Sequence, residues 1–112
     1  MARRAGERVA SIYPDLWQSL APDEWDRRVD AALIDAFHRG LRCEADAIRY
    51  LSLAAEYGWD FLDRADCAWM RRILEDARIT DSSARIRRLF EECRRRAAVA
   101  AGNARQREEF LR

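Results

Sequence analysis

The chain has 112 residues, 49% hydrophobic and 37% charged, with a formal net charge of +1. That length holds one hydrophobic core and not two, and the composition is that of a folded rather than a disordered chain. No apolar run approaches the roughly 20 residues that span a bilayer.

The near-zero net charge hides an asymmetry. All 21 basic residues are arginine; residues 1–63 carry 8 of them against 12 acids (−4), and residues 64–112 carry 13 against 8 (+5). The two halves can neutralise each other on folding, or the second can present a basic face to an acidic partner. The basic start, MARRAGERVASIY, lacks the continuous apolar core of a signal peptide, so a cytoplasmic protein is expected. In that compartment Cys43, Cys67 and Cys93 are expected to be reduced.

Residues 1–11 are polar and without a clean period, which predicts a flexible N-terminal arm. Ile12, Leu16, Trp17 and Leu20 follow at helical spacing. Pro14 suits a first turn and Pro22 forbids continuation, so a short helix between them is expected.

From Pro22 the pattern is regular: Trp25, Val29, Leu33, Phe37 and Leu41 recur every four residues. Asp23, Glu24 and Asp26 fall in the first turn and His38 and Arg39 in the last, matching the helix dipole, and Gly40 supplies the stop. A helix over about 23–39 follows. The next, from Cys43 or Glu44 to Gly58, is apolar on most sides, which predicts a central helix. Its cap position holds Cys43 where Ser or Thr would serve better, so packing must hold this start.

Trp59, Asp60, Phe61 and Leu62 read as an aromatic turn. Asp63 then reads as the cap of a helix burying Ala65, Trp69 and Ile73, with Met70 and Leu74 on its margin. Ile79 reads as a plug beneath the following loop. Thr80 or Asp81 caps a long last helix with Ile86, Leu89, Phe90, Cys93 and Ala97 on its apolar face. Gly102–Asn103 reads as a stop or hinge, leaving 102–112 as a tail or a helix extension. No segment alternates with period two. The expectation is all-α: a single-domain helical bundle over 12–101, of about four main helices plus a short N-terminal one.

Three constellations invite a chemical reading. His38, Cys43, Cys67 and Cys93 lack the close ligand pairs of a structural zinc site, and Cys93 lies on an apolar stripe. His38 has no nucleophile or orienting acid at a recognisable spacing. Asp60, Asp63 and Asp66 are spaced to cap helices as readily as to bind Mg²⁺. No catalytic, cofactor-binding or metal-ligating residue is therefore assigned, and no enzyme is expected. The arginine clusters 71–72, 85–88 and 94–96 could meet phosphates, although Glu75, Asp76, Glu91 and Glu92 are interleaved with them. For a protein partner, the candidate contacts are Trp17, Trp59 and Phe61, together with Arg87, Arg88 and Arg95.

The run IDAFHRGLRCEADAIRYLSLAAEYGWDF, followed by CAWMRRILEDARITDSSARIRRLFEE, resembles small helical proteins encoded beside effector chaperones of the bacterial type VI secretion system. It also resembles C-terminal helical extensions of some of those chaperones. The resemblance spans about residues 33–95. It rests on Arg39-Gly40-Leu41, Glu44-Ala45-Asp46, Arg49-Tyr50-Leu51, Gly58 with Asp60-Phe61, Ala68-Trp69-Met70 with Ile73-Leu74, and the Arg85–Phe90 helix. Cys43 stands where such sequences more comfortably carry Thr. What the resemblance implies is a co-chaperone or adaptor that binds an effector chaperone or its effector, and it brings no catalytic residues. Two other roles fit the residues: an immunity protein whose acidic half blocks a toxin, and a small nucleic-acid-binding regulator using the arginine-rich last helix.

Overall fold

Apolar residues on nearly every side of one helix require partners on nearly every side, and the architecture follows from that. The computed structural model describes residues 2–111, with the side chains of 3–111. Six helices occur in chain order: α1 (Ala2–Ile12), α2 (Pro14–Ser19), α3 (Pro22–His38), α4 (Glu44–Tyr57), α5 (Ala68–Leu74) and α6 (Ser82–Leu111). Two single 3₁₀ turns, Phe61–Asp63 and Ala65–Cys67, lead into α5. Among the described residues there is no strand, and no helix is long and apolar enough to cross a membrane.

Helix α4 is the hub, with Ala47, Tyr50, Leu51, Leu53 and Ala54 buried. Leu51 faces one cluster with Ala5 and Val9 of α1 and Trp25 and Val29 of α3. Tyr50, Leu53 and Ala54 face a larger one with Phe61, Leu62, Cys67, Met70, Leu74, Ile86, Leu89 and Cys93. The helices are thus laid on both sides of α4. Gly40 (φ +87°) and Gly58 (φ +115°) end α3 and α4 in backbone conformations that side chains with a Cβ rarely adopt. A Cβ on Gly40 would also stand 2.6 Å from the Ser82 hydroxyl.

The start of α4 is held from outside, as its poor cap requires. Asp46, 3% exposed, accepts hydrogen bonds from the hydroxyl of Ser83 and from Arg49 at 2.8 Å. Asp81 caps α6, its carboxylate accepting from the Ser83 N–H at 3.2 Å.

Four expectations are corrected. The arm is not one: α1 covers residues 2–12, and Ala5 and Val9 are fully buried. Asp63 does not cap α5, which begins at Ala68; that shift turns Met70 and Leu74 inward and leaves Trp69 and Ile73 half-buried and Ala65 exposed. Phe37 keeps the four-residue period but is 53% exposed, because a strict period of four drifts off the face of a 3.6-residue helix, and in the last turn of α3 Ala36, fully buried, takes the inward position. Gly102–Asn103 does not stop α6: of the two alternatives for that segment the helix extension holds, and the 30 residues of α6 run on to Leu111. At 1.5 Å per residue that helix is about 45 Å long. From residue 94 to 111 no side chain is buried.

Candidate partner-binding surfaces

The first surface is a groove of about 760 Å³ between α1, α2 and α3. Small residues of α1, Gly6 and Ala10, form one wall, and Trp25 and Val29 of α3 form the other. Pro14 starts α2 across the mouth and sets Trp17 there, 44% exposed. The rim is acidic: Glu7, Asp26 and Asp30 stand against Arg3, which is itself paired with Glu7 at 3.3 Å. An apolar floor with an indole at its lip suits an apolar side chain of a protein partner.

The second surface is a groove of about 590 Å³ between α5 and α6, with Trp69 and Ile73 among its lining residues. The Arg96 guanidinium lies over the Trp69 ring, 3.7 Å from its centroid, and is also bonded to Glu92 at 3.1 Å. Hydrogen bonds from Arg95, opposed by desolvation and helped by Arg96, hold the Glu92 carboxyl down at about 2. Arg78 pairs with Asp76 at 3.1 Å. Among the described residues Arg72 and Arg88 form no ion pair within 4 Å, so the groove keeps two uncommitted cations.

A third hollow, of about 340 Å³, is lined by Arg28, Asp35, Arg39, Tyr50 and Trp59. Its polar groups already satisfy one another: the Tyr50 hydroxyl donates to Asp35, and Arg39 reaches Asp35 at 3.4 Å and Glu75 at 3.7 Å. Burial, then the bond to Asp35, pushes the Tyr50 phenol far above its ordinary range.

The residues expected to meet a partner separate on this map. Trp17 stands at the first groove and Arg88 at the second. Phe61 is 1% exposed and packs on Tyr50 with ring centroids 5.6 Å apart, so it is core and not contact surface. Trp59 is half-buried against Trp25, with Arg28 5.9 Å from its ring centre. Arg87 and Arg95 are exposed but engaged, with Asp81 at 3.9 Å and Glu92 at 3.1 Å.

The acidic and basic halves barely neutralise each other: among the described residues the ion pairs joining them are Arg64–Asp60 at 3.8 Å, four residues apart across the boundary, and Arg39–Glu75 at 3.7 Å, in which the arginine belongs to the acidic half. Asp60 and Asp66 both turn to Arg64, at 3.8 and 3.2 Å, and no three His, Cys, Asp or Glu among the described residues could hold a metal ion. The three cysteines are free thiols, Cys43 exposed and Cys67 and Cys93 buried.

Trp69, Ile73 and Arg72 were not among the expected contacts. Their signal was present, since 69, 72 and 73 share a helix face and that face carries both a ring and a cation. Comparison with protein-family models, with curated proteins and with solved structures finds no match to this chain.

Proposed function

We propose that this protein is a non-enzymatic, cytoplasmic adaptor or co-chaperone that binds a larger protein, and that its partner is a type VI secretion effector chaperone or the effector itself. The observation that carries the binding role is the first groove, where Trp17 stands 44% exposed beside an apolar floor. A large indole held at the lip of a preformed groove offers apolar area at little ordering cost, which is how small binding modules gain affinity. The choice of partner rests on the sequence resemblance over residues 33–95.

The test is a tagged pull-down from the native bacterium read by mass spectrometry, run in parallel with Trp17→Ser. Recovery of a secretion chaperone or its effector, lost in the variant, supports the adaptor. A single toxin, with rescue of intoxicated cells, would replace it by an immunity role. Nucleic acid alone, bound with steep salt dependence, would replace it by the regulator.

A further inference from the structure

We infer that α6 is a self-association device: the Glu108–Leu111 end of one molecule docks in the α5–α6 groove of a second copy, the two α6 helices running antiparallel. This does not rest on the adaptor reading, which uses the other groove.

The groove states what it would take. Its lining joins apolar Trp69 and Ile73 to three carboxylates already paired with arginines, Glu75, Asp76 and Glu92, and to two cations, Arg72 and Arg88, that form no ion pair within 4 Å among the described residues. A complementary segment therefore carries carboxylates next to large apolar side chains. The far part of α6 is such a segment: Glu108 and Glu109 precede Phe110, 89% exposed, and Leu111, 82% exposed. A molecule cannot fill its own groove with it, because α6 is one continuous helix. Phe110 lies fourteen residues beyond Arg96, about 21 Å further along the axis.

The rest of the helix fits the same arrangement. Residues 94–111 bury no side chain, and a helix of that length without packing is marginal in water. The buried stripe of α6 (Ile86, Leu89, Cys93) continues outward in steps of three and four as Ala97, Ala100 and Ala104 and, two turns on, Leu111. Arg107 interrupts it with a long stem that can lie along the seam and release its charge to water.

Antiparallel pairing about a two-fold axis near Ala101 sets Glu108 across from Arg94. Phe110 then falls about 13.5 Å from the axis, level with Glu92 and midway between Arg96 and Arg88 in the groove lining. A parallel pair would stack Arg94, Arg95 and Arg96 on themselves. The antiparallel pair is isologous and closed: two tails fill two grooves and none is left over.

Sedimentation equilibrium of the full chain at about 0.15 M salt tests this. The expected result is a concentration-dependent dimer, and a monomer of unchanged folded-body stability for Phe110→Ser/Leu111→Ser. Arg72→Glu/Arg88→Glu and, separately, Glu108→Arg/Glu109→Arg should each raise the dimer Kd at least about tenfold. All four changes together should restore it to within about threefold, since both copies then carry both reversals. A wild type that stays monomeric at every concentration overturns the inference. So does a dimer indifferent to the tail, or one whose charge reversals fail to rescue each other.

Discussion

The indole of Trp25 meets that of Trp59 edge to face, with ring centroids 5.6 Å apart and planes at 81°. Trp25 belongs to the cluster between α1, α3 and α4, and Trp59 packs against both that cluster and the larger one. This pair therefore joins the two cores on either side of α4. Trp59→Ala is expected to cost about 2–3 kcal/mol in urea unfolding. A double-mutant cycle with Trp25→Ala should return a coupling of about 1 kcal/mol, the share belonging to the ring pair itself. Strictly additive losses would mean that the contact is incidental.

A second prediction concerns Asp46. Burial pushes its carboxyl up, but hydrogen bonds from Ser83, Cys43 and Arg49, with the Arg49 charge, outweigh burial and hold it below the ordinary range. A depressed folded value means stability that is present above the unfolded pKa, about 3.9, and lost as pH falls toward the folded one. Asp46→Asn should lower stability at pH 7 by about 1–3 kcal/mol. It should also flatten the pH dependence below about pH 4, read by circular dichroism across an acid titration. A variant with an unchanged acid limb would show that other carboxylates govern it.

The alkaline limb belongs to the tyrosines. Burial, then Glu56, raises Tyr13 to about 12, and burial, then Cys93, raises Tyr57 to about 12; Tyr50 is higher still. Free phenols titrate near 10. Stability contributed by these groups is whole below that value and declines as pH rises through the folded ones. Phenolate absorbance should therefore appear together with loss of the helical signal, not before it. Ionisation near pH 10 in a chain still folded would contradict the packing of all three rings.

Two glycines should respond to alanine in opposite directions. Gly40 combines a φ of +87° with no room for a Cβ beside Ser82, and Gly40→Ala should cost about 2 kcal/mol. Gly102 lies inside α6 with nothing within 4 Å of an added Cβ. Gly102→Ala should raise helicity and stabilise that segment by about 0.5–1 kcal/mol. Thermal melts followed at 222 nm separate the two, and a helix-lowering effect at 102 would mean that the segment is not helical in solution.

What could be read in the sequence depended on where burial left a local trace. Helices α3 and α4 announced themselves through the four-residue spacing of Trp25 to Leu41 and the two terminal glycines. Helix α1 did not, because its buried face consists of Ala5, Gly6 and Val9. Those residues suit close approach to Val29, 3.4 Å from a Cβ at Gly6, and although they recur at helical spacing against an arginine-bearing face, their small side chains leave the segment polar on average. The first groove was hidden for the same reason, since α1 forms its wall. Trp17 was legible because a short helix between two prolines has little to bury it. Phe61 was misread because its burial depends on Tyr50, Met70 and other residues brought in by the fold, which leave no mark at positions 59–62. The Asp46–Ser83 bond joins residues 37 apart and could not be seen in advance.

The ion pairs impose one more property. Among the described residues most are three or four residues apart, and only Arg4–Glu44 at 3.5 Å and Arg39–Glu75 at 3.7 Å tie segments more than six residues apart. Charge is thus balanced mostly between near neighbours along the chain, while the arrangement of helices is set by apolar fit and by the Ser83–Asp46 and Tyr50–Asp35 hydrogen bonds. Surface charge can be rewritten one helix at a time without touching the blueprint of the fold. The pattern a partner meets on the outside is therefore free to vary independently of the scaffold that displays it.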